Sequence, residues 1–314
     1  MPRCALHLFI YLCAVLSILA LVQISLISYG SPDPDRYEVH DGEKPNDNLH
    51  FELKKHRLPK CLIIGARKGG TRALVDSLAL HPMIKAARRE VHFFDRNDTF
   101  VRGIDWYKEQ MPLSFAHEVT IEKTPAYFPS LVCPRRVYEM DPKMKILLIL
   151  REPVVRTISD FTQVYYNRLE LGKSLPQFED VIFQNGTNRL ATNYKPLRNS
   201  LYEIHLRNWL KYFPLSQIHV VDGDKFAMEP LPELRAIEKF LGLPSQIEAA
   251  SLVWDPHKGF FCFRRSAGRA VHCLGDSKGR AHRPVSPATR EKMRIQLLPY
   301  NSKLFELLGR RFRW

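Results

Sequence analysis

The chain has 314 residues, 45% of them hydrophobic, with 47 Lys and Arg against 33 Asp and Glu, a formal net charge of +14. These figures exclude a wholly disordered chain, a multi-span membrane protein, a collagen and a coiled coil. Six cysteines are too few for a disulfide-dense miniature, and the excess of cations points to a polyanionic partner: nucleic acid, an anionic membrane or an acidic polysaccharide.

The first thirty residues hold one cation, Arg3, and no acid. The chain is apolar from Leu8 to Val22 apart from Ser17, and greasy on to Ile27. Residues 8–27 are long enough to span a bilayer of roughly 30 Å as a helix. Residues 1–30 therefore read as a signal peptide or a signal anchor, with Ser28-Tyr29-Gly30 offering small residues for cleavage. The cation ahead of the apolar run predicts that the rest is translocated. Two sequons, at Asn97 and Asn185, agree with a luminal address. That address disfavours nucleic acid and makes a luminal acidic polysaccharide the leading partner. Residues 31–57 are polar and Pro-containing and read as a short stem. From 58 to 314 the pattern is globular, without repeats, and predicts one domain.

Short apolar runs predict buried strands at Cys61–Ile64, Lys145–Leu150 and Ile218–Val221, with Val119–Ile121 a fourth candidate. Helical patterns lie between and after them at Thr71–Leu80, Cys133–Met140, Val154–Leu169, Leu201–Tyr212 and Leu231–Leu241. A last helical segment, 285–309, is expected to break at Pro299. The alternation predicts an α/β fold with a central parallel sheet flanked by helices. In such sheets ligands sit at the carboxyl ends of the strands. Cys61 reads as a buried thiol and Cys133 as free. Cys262 and Cys273, eleven apart, read as a disulfide in an oxidising lumen, with a zinc site as the alternative.

The first strand ends in Gly65-Ala66-Arg67-Lys68-Gly69-Gly70-Thr71-Arg72, and a helix follows. Glycines allow a tight turn, and exposed amides at a helix start attract an anion. The loop departs from the ATP-binding pattern because Thr71 stands where that pattern needs Lys. A luminal kinase is disfavoured on that ground. Arg151, at the end of a strand, and Ser159, in the next helix, read as a second anion-holding pair, with a structural ion pair at Arg151 as the alternative. Glu90-Val91-His92-Phe93-Phe94-Asp95 places two acids and a His together. If residues 90–94 are extended, Glu90, His92 and Phe94 share one face; the alternative is a surface turn with a buried Phe-Phe staple. Glu122-Lys123 reads either as part of a site or as an ordinary surface ion pair.

The GxRKGGTR loop, EVHFFD at 90–95, EKTPAYF, LxLRxPxxRxxSDxTQ and a late SKGRAH together resemble the heparan sulfate glucosamine 3-O-sulfotransferases. The resemblance covers essentially all of 59–314. The short stem and the Thr162–Asn167 segment look most like isoform 1. The resemblance implies a P-loop-like sulfotransferase domain, a Golgi enzyme, and 3′-phosphoadenosine-5′-phosphosulfate (PAPS) as sulfuryl donor; a monomer is expected. It implies that Lys68, Gly69, Gly70, Thr71 and Arg72 hold the 5′-phosphosulfate, and that Arg151 and Ser159 hold the 3′-phosphate. Ser277, Lys278, Gly279, Arg280, Ala281 and His282 would close over the donor. Glu90 would be the general base on the glucosamine 3-OH of heparan sulfate, with Lys68, His92, Asp95 and Lys123 supporting the chemistry. Arg67, Arg96 and Gln163, with Glu90 and Lys123, would bind the acceptor. Cations take the part that a metal plays in phosphoryl transfer, so no metal is expected. The reading from another class is a non-catalytic heparan-sulfate-binding protein, and a sulfotransferase of other regiochemistry is a further alternative.

Overall fold

A computed structural model describes residues 53–184, 187–264, 270–275 and 281–314. The leader, the stem up to 52, the Asn185 sequon and Ser277–Arg280 fall outside the described residues.

Five strands form one sheet in the order β3-β5-β2-β6-β7, all parallel. They follow a first short strand, β1 (Lys55–His56), and are β2 (Cys61–Gly65), β3 (Ile84–Ala86), β5 (Val119–Lys123), β6 (Lys145–Leu150) and β7 (Ile218–Asp222). The strand β4 (Leu113–Ser114) pairs with β1 in a separate antiparallel ladder. The sheet buries both faces, which is why its central strands are continuous apolar runs rather than alternating ones. Leu62, Ile64, Ile146, Leu148 and Val220 face a core with Trp209 and Phe213. Their neighbours Cys61, Ile63, Leu147, Ile149 and Val221 face the other core, with Leu74, Leu78, Leu234 and Ile237. The period of two along each strand produces this division.

The helices Thr71–Leu78, Cys133–Met140, Pro153–Glu170, Tyr202–Leu210 and Pro230–Leu241 match the expected ones to within three residues at either end. β3 escaped the sequence reading because three residues give no usable pattern. The break expected at Pro299 does not occur: one helix runs from Pro287 to Leu308. Pro299 faces solvent, where water can satisfy the carbonyl it leaves unbonded, while Met293, Leu297 and Leu304 are buried on the other side. A hairpin, β8 (Leu252–Asp255) with β9 (Phe260–Phe263), follows the sheet in sequence.

Candidate active site

The loop after β2 is shaped by what its glycines touch. A Cβ on Gly69 would stand 2.7 Å from the Ile149 carbonyl oxygen and 2.9 Å from that of Ala66. Gly70 adopts φ +109° and opens the helix Thr71–Leu78. No side chain caps that end and no acid stands in its first turn, so its leading amides point outward. Lys68 itself is held at φ +67°.

These residues form one wall of a cleft of about 550 Å³. Lys68, Gly69, Gly70, Thr71, Arg72, Arg151, Ser159, Gln163, Ala281 and His282 all line it. Each is a residue expected at the donor or the acceptor. Arg72 also pairs with Asp76 of its own helix at 2.8 Å. Gln163 donates to Asn167 Oδ1 at 2.7 Å. Arg151 is steadied by Asp224 at 3.4 Å, and its carbonyl accepts from the Tyr202 hydroxyl at 2.8 Å. Burial, with Arg151 and Lys68 next in weight, holds the His282 imidazole below its ordinary range. The cleft therefore presents cations and a neutral ring. Phe226, Phe260, Phe261 and Phe263 also line the cleft, and no sequence pattern pointed to them. The hairpin that delivers three of them is stapled by the Cys262–Cys273 disulfide. The Asp255 carboxylate lies within 4.8 Å of both sulfurs, but sulfurs bonded to each other offer no thiolate to a metal. Cys61 and Cys133 are buried and free.

The second group forms at the end of β5, whose Lys123 pairs in register with Ile63 of β2. Lys123 is 8% exposed and donates to Glu90, which is 40% exposed. His92 Nε2 lies 3.6 Å from Glu90 Oε2, and its Nδ1 lies 2.9 Å from Asp95 Oδ2. Glu90, His92, Asp95 and Lys123 thus come together, with Asp95 fixing the orientation of the ring. Among the described residues these four are not part of the cleft lining. They share the carboxyl edge of the sheet with it.

One expectation fails here, and one open alternative is decided. Residues 90–94 are not extended: His92 has φ +56°, and Phe94 is fully buried while Glu90 is not. The amides that a strand would commit to a ladder are bound by side chains instead. Glu122-Lys123 is not a surface ion pair either, because both residues are buried and the lysine reaches Glu90. Of the two arginines expected on the acceptor side, Arg67 is bound to Asp160 at 2.7 Å. Arg96 is exposed, and among the described residues no hydrogen bond or ion pair joins its side chain to Glu90 or His92. Asn97 is exposed and accepts from Arg136 at 2.6 Å.

The family model described as "Sulfotransferase domain" matches residues 58–267. "Heparan sulfate glucosamine 3-O-sulfotransferase 5" of Mus musculus is 42% identical over 278 residues, 88% of this chain and 80% of that protein. The chain belongs to the heparan sulfate glucosamine 3-O-sulfotransferase family. It is an enzyme of that class. The family's 3B1 member from Mus musculus is 36% identical, over 92% of this chain and 73% of its own. The isoform 5 protein of Homo sapiens is likewise 42% identical, over 88% of this chain and 80% of its own. A sulfotransferase from Alicyclobacillus acidocaldarius, 20% identical, superposes with a TM-score of 0.58 over 82% of this chain and 98% of its own, and shares the fold.

Proposed function

We propose that this enzyme moves a sulfuryl group from PAPS to the 3-hydroxyl of glucosamine in heparan sulfate, with Glu90 as general base. The observation that carries the reading is the Glu90–Lys123–His92–Asp95 cluster at the same sheet edge as the anion loop. The relatives' names supply the acceptor.

The cleft fits a nucleotide with two anionic ends. It has an uncapped helix start beside Lys68, a second cation at Arg151 with the Ser159 hydroxyl, and phenylalanine rings to receive a flat base. Its volume falls in the range of small-molecule sites. When bound, PAPS supplies the sulfuryl group and is released as PAP. Lys68–Arg72 hold the phosphosulfate end, and Arg151 and Ser159 hold the other phosphate. Ala281 and His282 line the cleft and are assigned to the donor.

A sugar hydroxyl is a weak nucleophile near neutral pH and needs a base within about 3 Å. Glu90 is half open to solvent and free to meet such a hydroxyl, while Lys123 and His92 fix its two oxygens. Glu90 takes the O3 proton. Lys68, Lys123 and Arg151 stabilise charge by position, so the reaction proceeds without a metal. Arg67, Arg96 and Gln163 are assigned to the acceptor. The apolar leader and the two sequons support a glycosylated enzyme of the Golgi lumen, anchored through residues 8–27 or released by cleavage, with residues 58–314 as its catalytic domain.

The test is transfer of labelled sulfate from PAPS to N-sulfated heparan sulfate in chelator, followed by disaccharide mapping. Label on glucosamine O3, lost by at least about a hundredfold in Glu90→Gln while PAP still binds, is the expected result. Label at another position removes the regiochemistry. PAP and heparan binding with no transfer by the unaltered chain leaves a binding protein.

A further inference from the structure

Behind Glu90 and His92 lies a set of buried polar groups that the roles above do not use. Glu122 is fully buried at the end of β5. Its carboxylate accepts from the Val91 amide at 3.3 Å, from the Tyr107 hydroxyl at 3.3 Å and from the Thr124 hydroxyl. The same Thr124 oxygen accepts from the His92 amide at 3.4 Å. The Tyr127 hydroxyl accepts from the Phe93 amide at 3.0 Å. Three consecutive amides of the turn therefore end on three side chains of one segment, 122–127. That segment also carries Lys123, whose ammonium reaches Glu90.

Stability alone does not favour this arrangement. A carboxylate costs free energy when it is taken out of water. Burial pushes the Glu122 carboxyl above its ordinary range, and the bonds from Thr124 and Val91 offset only part of that. His92 sits at φ +56°, a conformation that a non-glycine residue keeps only when its surroundings impose it. The ring of Phe93 stacks on Tyr107 with centroids 4.4 Å apart, and Phe94 meets Tyr127 edge-on at 5.3 Å. Strained backbone and buried polar groups held this firmly gather where a site must be rigid.

We propose that Glu122, Thr124 and Tyr127 are positioning residues for sulfuryl transfer: by holding the amides of Val91, His92 and Phe93 they aim the Glu90 carboxylate and the His92 ring at the acceptor hydroxyl. This rests on the reading of Glu90 as the base. The residues touch neither donor nor acceptor, so they set the rate of the step and not the affinity for either substrate.

Thr124→Val and Tyr127→Phe each delete one hydroxyl at nearly constant shape. In the whole chain, each lowers kcat about tenfold or more, because small misplacements of a reacting group are costly. The KM for PAPS, the KM for N-sulfated heparan sulfate and the calorimetric affinity for PAP stay within about twofold. Glu122→Gln keeps an acceptor for the Val91 amide and retains most of the turnover, whereas Glu122→Ala loses it. Should the alanine variant fail to fold, the two hydroxyl deletions still decide. A lowered Tm with unchanged kcat in both overturns the proposal, as does a rise in KM with kcat intact. Glu90→Gln, run alongside, separates the two ideas. If it is inactive while Thr124→Val and Tyr127→Phe turn over normally, the positioning role fails and the base stands. If it turns over normally, the base fails and the positioning role falls with it.

Discussion

Gly69 shows how little freedom the anion loop has. Both atoms that an added Cβ would strike are backbone: the carbonyl oxygen of Ile149 in β6 and that of Ala66, which is buried in the loop itself. Neither can swing aside as a side-chain end does. Gly69→Ala is expected to cost about 2 kcal/mol of stability, the usual scale for an overpacked site, and to weaken PAP binding because the loop must shift. Urea denaturation and calorimetry read the two effects separately. By contrast, Gly172, at φ +62° with nothing within 4 Å, stands to lose only conformational ease.

At the scale of elements, the loop is held from below by the helix Pro153–Glu170. The Arg156 guanidinium is fully buried; it donates to the Arg67 carbonyl at 3.0 Å, to Asp160 at 3.0 Å and to the carbonyl of Pro196. Asp160 in turn binds the Arg67 side chain. Burial alone would raise the Asp160 carboxyl, but Arg156 and Arg67 outweigh it and hold it below its ordinary range. Removing one partner leaves the other buried and unmatched, which costs about 3–5 kcal/mol. Asp160→Asn, which keeps shape but not charge, is expected to lower stability toward that range and to weaken PAP binding by freeing Arg67. The hairpin wall makes a second prediction. Cys262→Ser with Cys273→Ser opens a short covalent loop worth about 3 kcal/mol. It also releases the strand Phe260–Phe263, so PAP affinity should fall along with the Tm in a thermal melt.

For the whole molecule, acid and salt act through different charges. Burial lowers His205, His219 and His282 below the ordinary His range. The unfolded chain therefore takes up protons first as pH falls below about 6.5, and stability is lost through that window. Asp160, lowered by its arginines, adds a second loss as pH falls through its own depressed value. Glu122 works in the opposite sense: its raised value favours the folded state where it is protonated and loses that gain as pH rises. Thermal melts are expected to show a lower Tm at pH 5.5 than at 7.5, because three histidines act in that interval. With a net charge of +14, heparan sulfate affinity should also drop as ionic strength rises from 50 to 500 mM, as screening shortens to several ångströms.

The class of fold and the glycine-and-cation wall of the cleft can be read along the chain. Strands buried on both faces must be continuous apolar runs, and a glycine loop between strand and helix must expose amides, so Cys61–Gly65 and Lys68–Arg72 are legible in one dimension. Arg151 and Ser159 are legible because they follow a strand at fixed spacing. The tertiary structure alone decided the shape of residues 90–95. Their amides are satisfied by Glu122, Thr124 and Tyr127, some thirty positions away, and no local pattern records such a partner. It alone decided that Lys123 serves Glu90 rather than solvent, that Arg156 and Asp160 brace Arg67, and that phenylalanines from two distant elements complete the cleft. Each of these depends on which chain segments the parallel sheet sets side by side, and that order, β3-β5-β2-β6-β7, is a property of the packed core rather than of any segment in it.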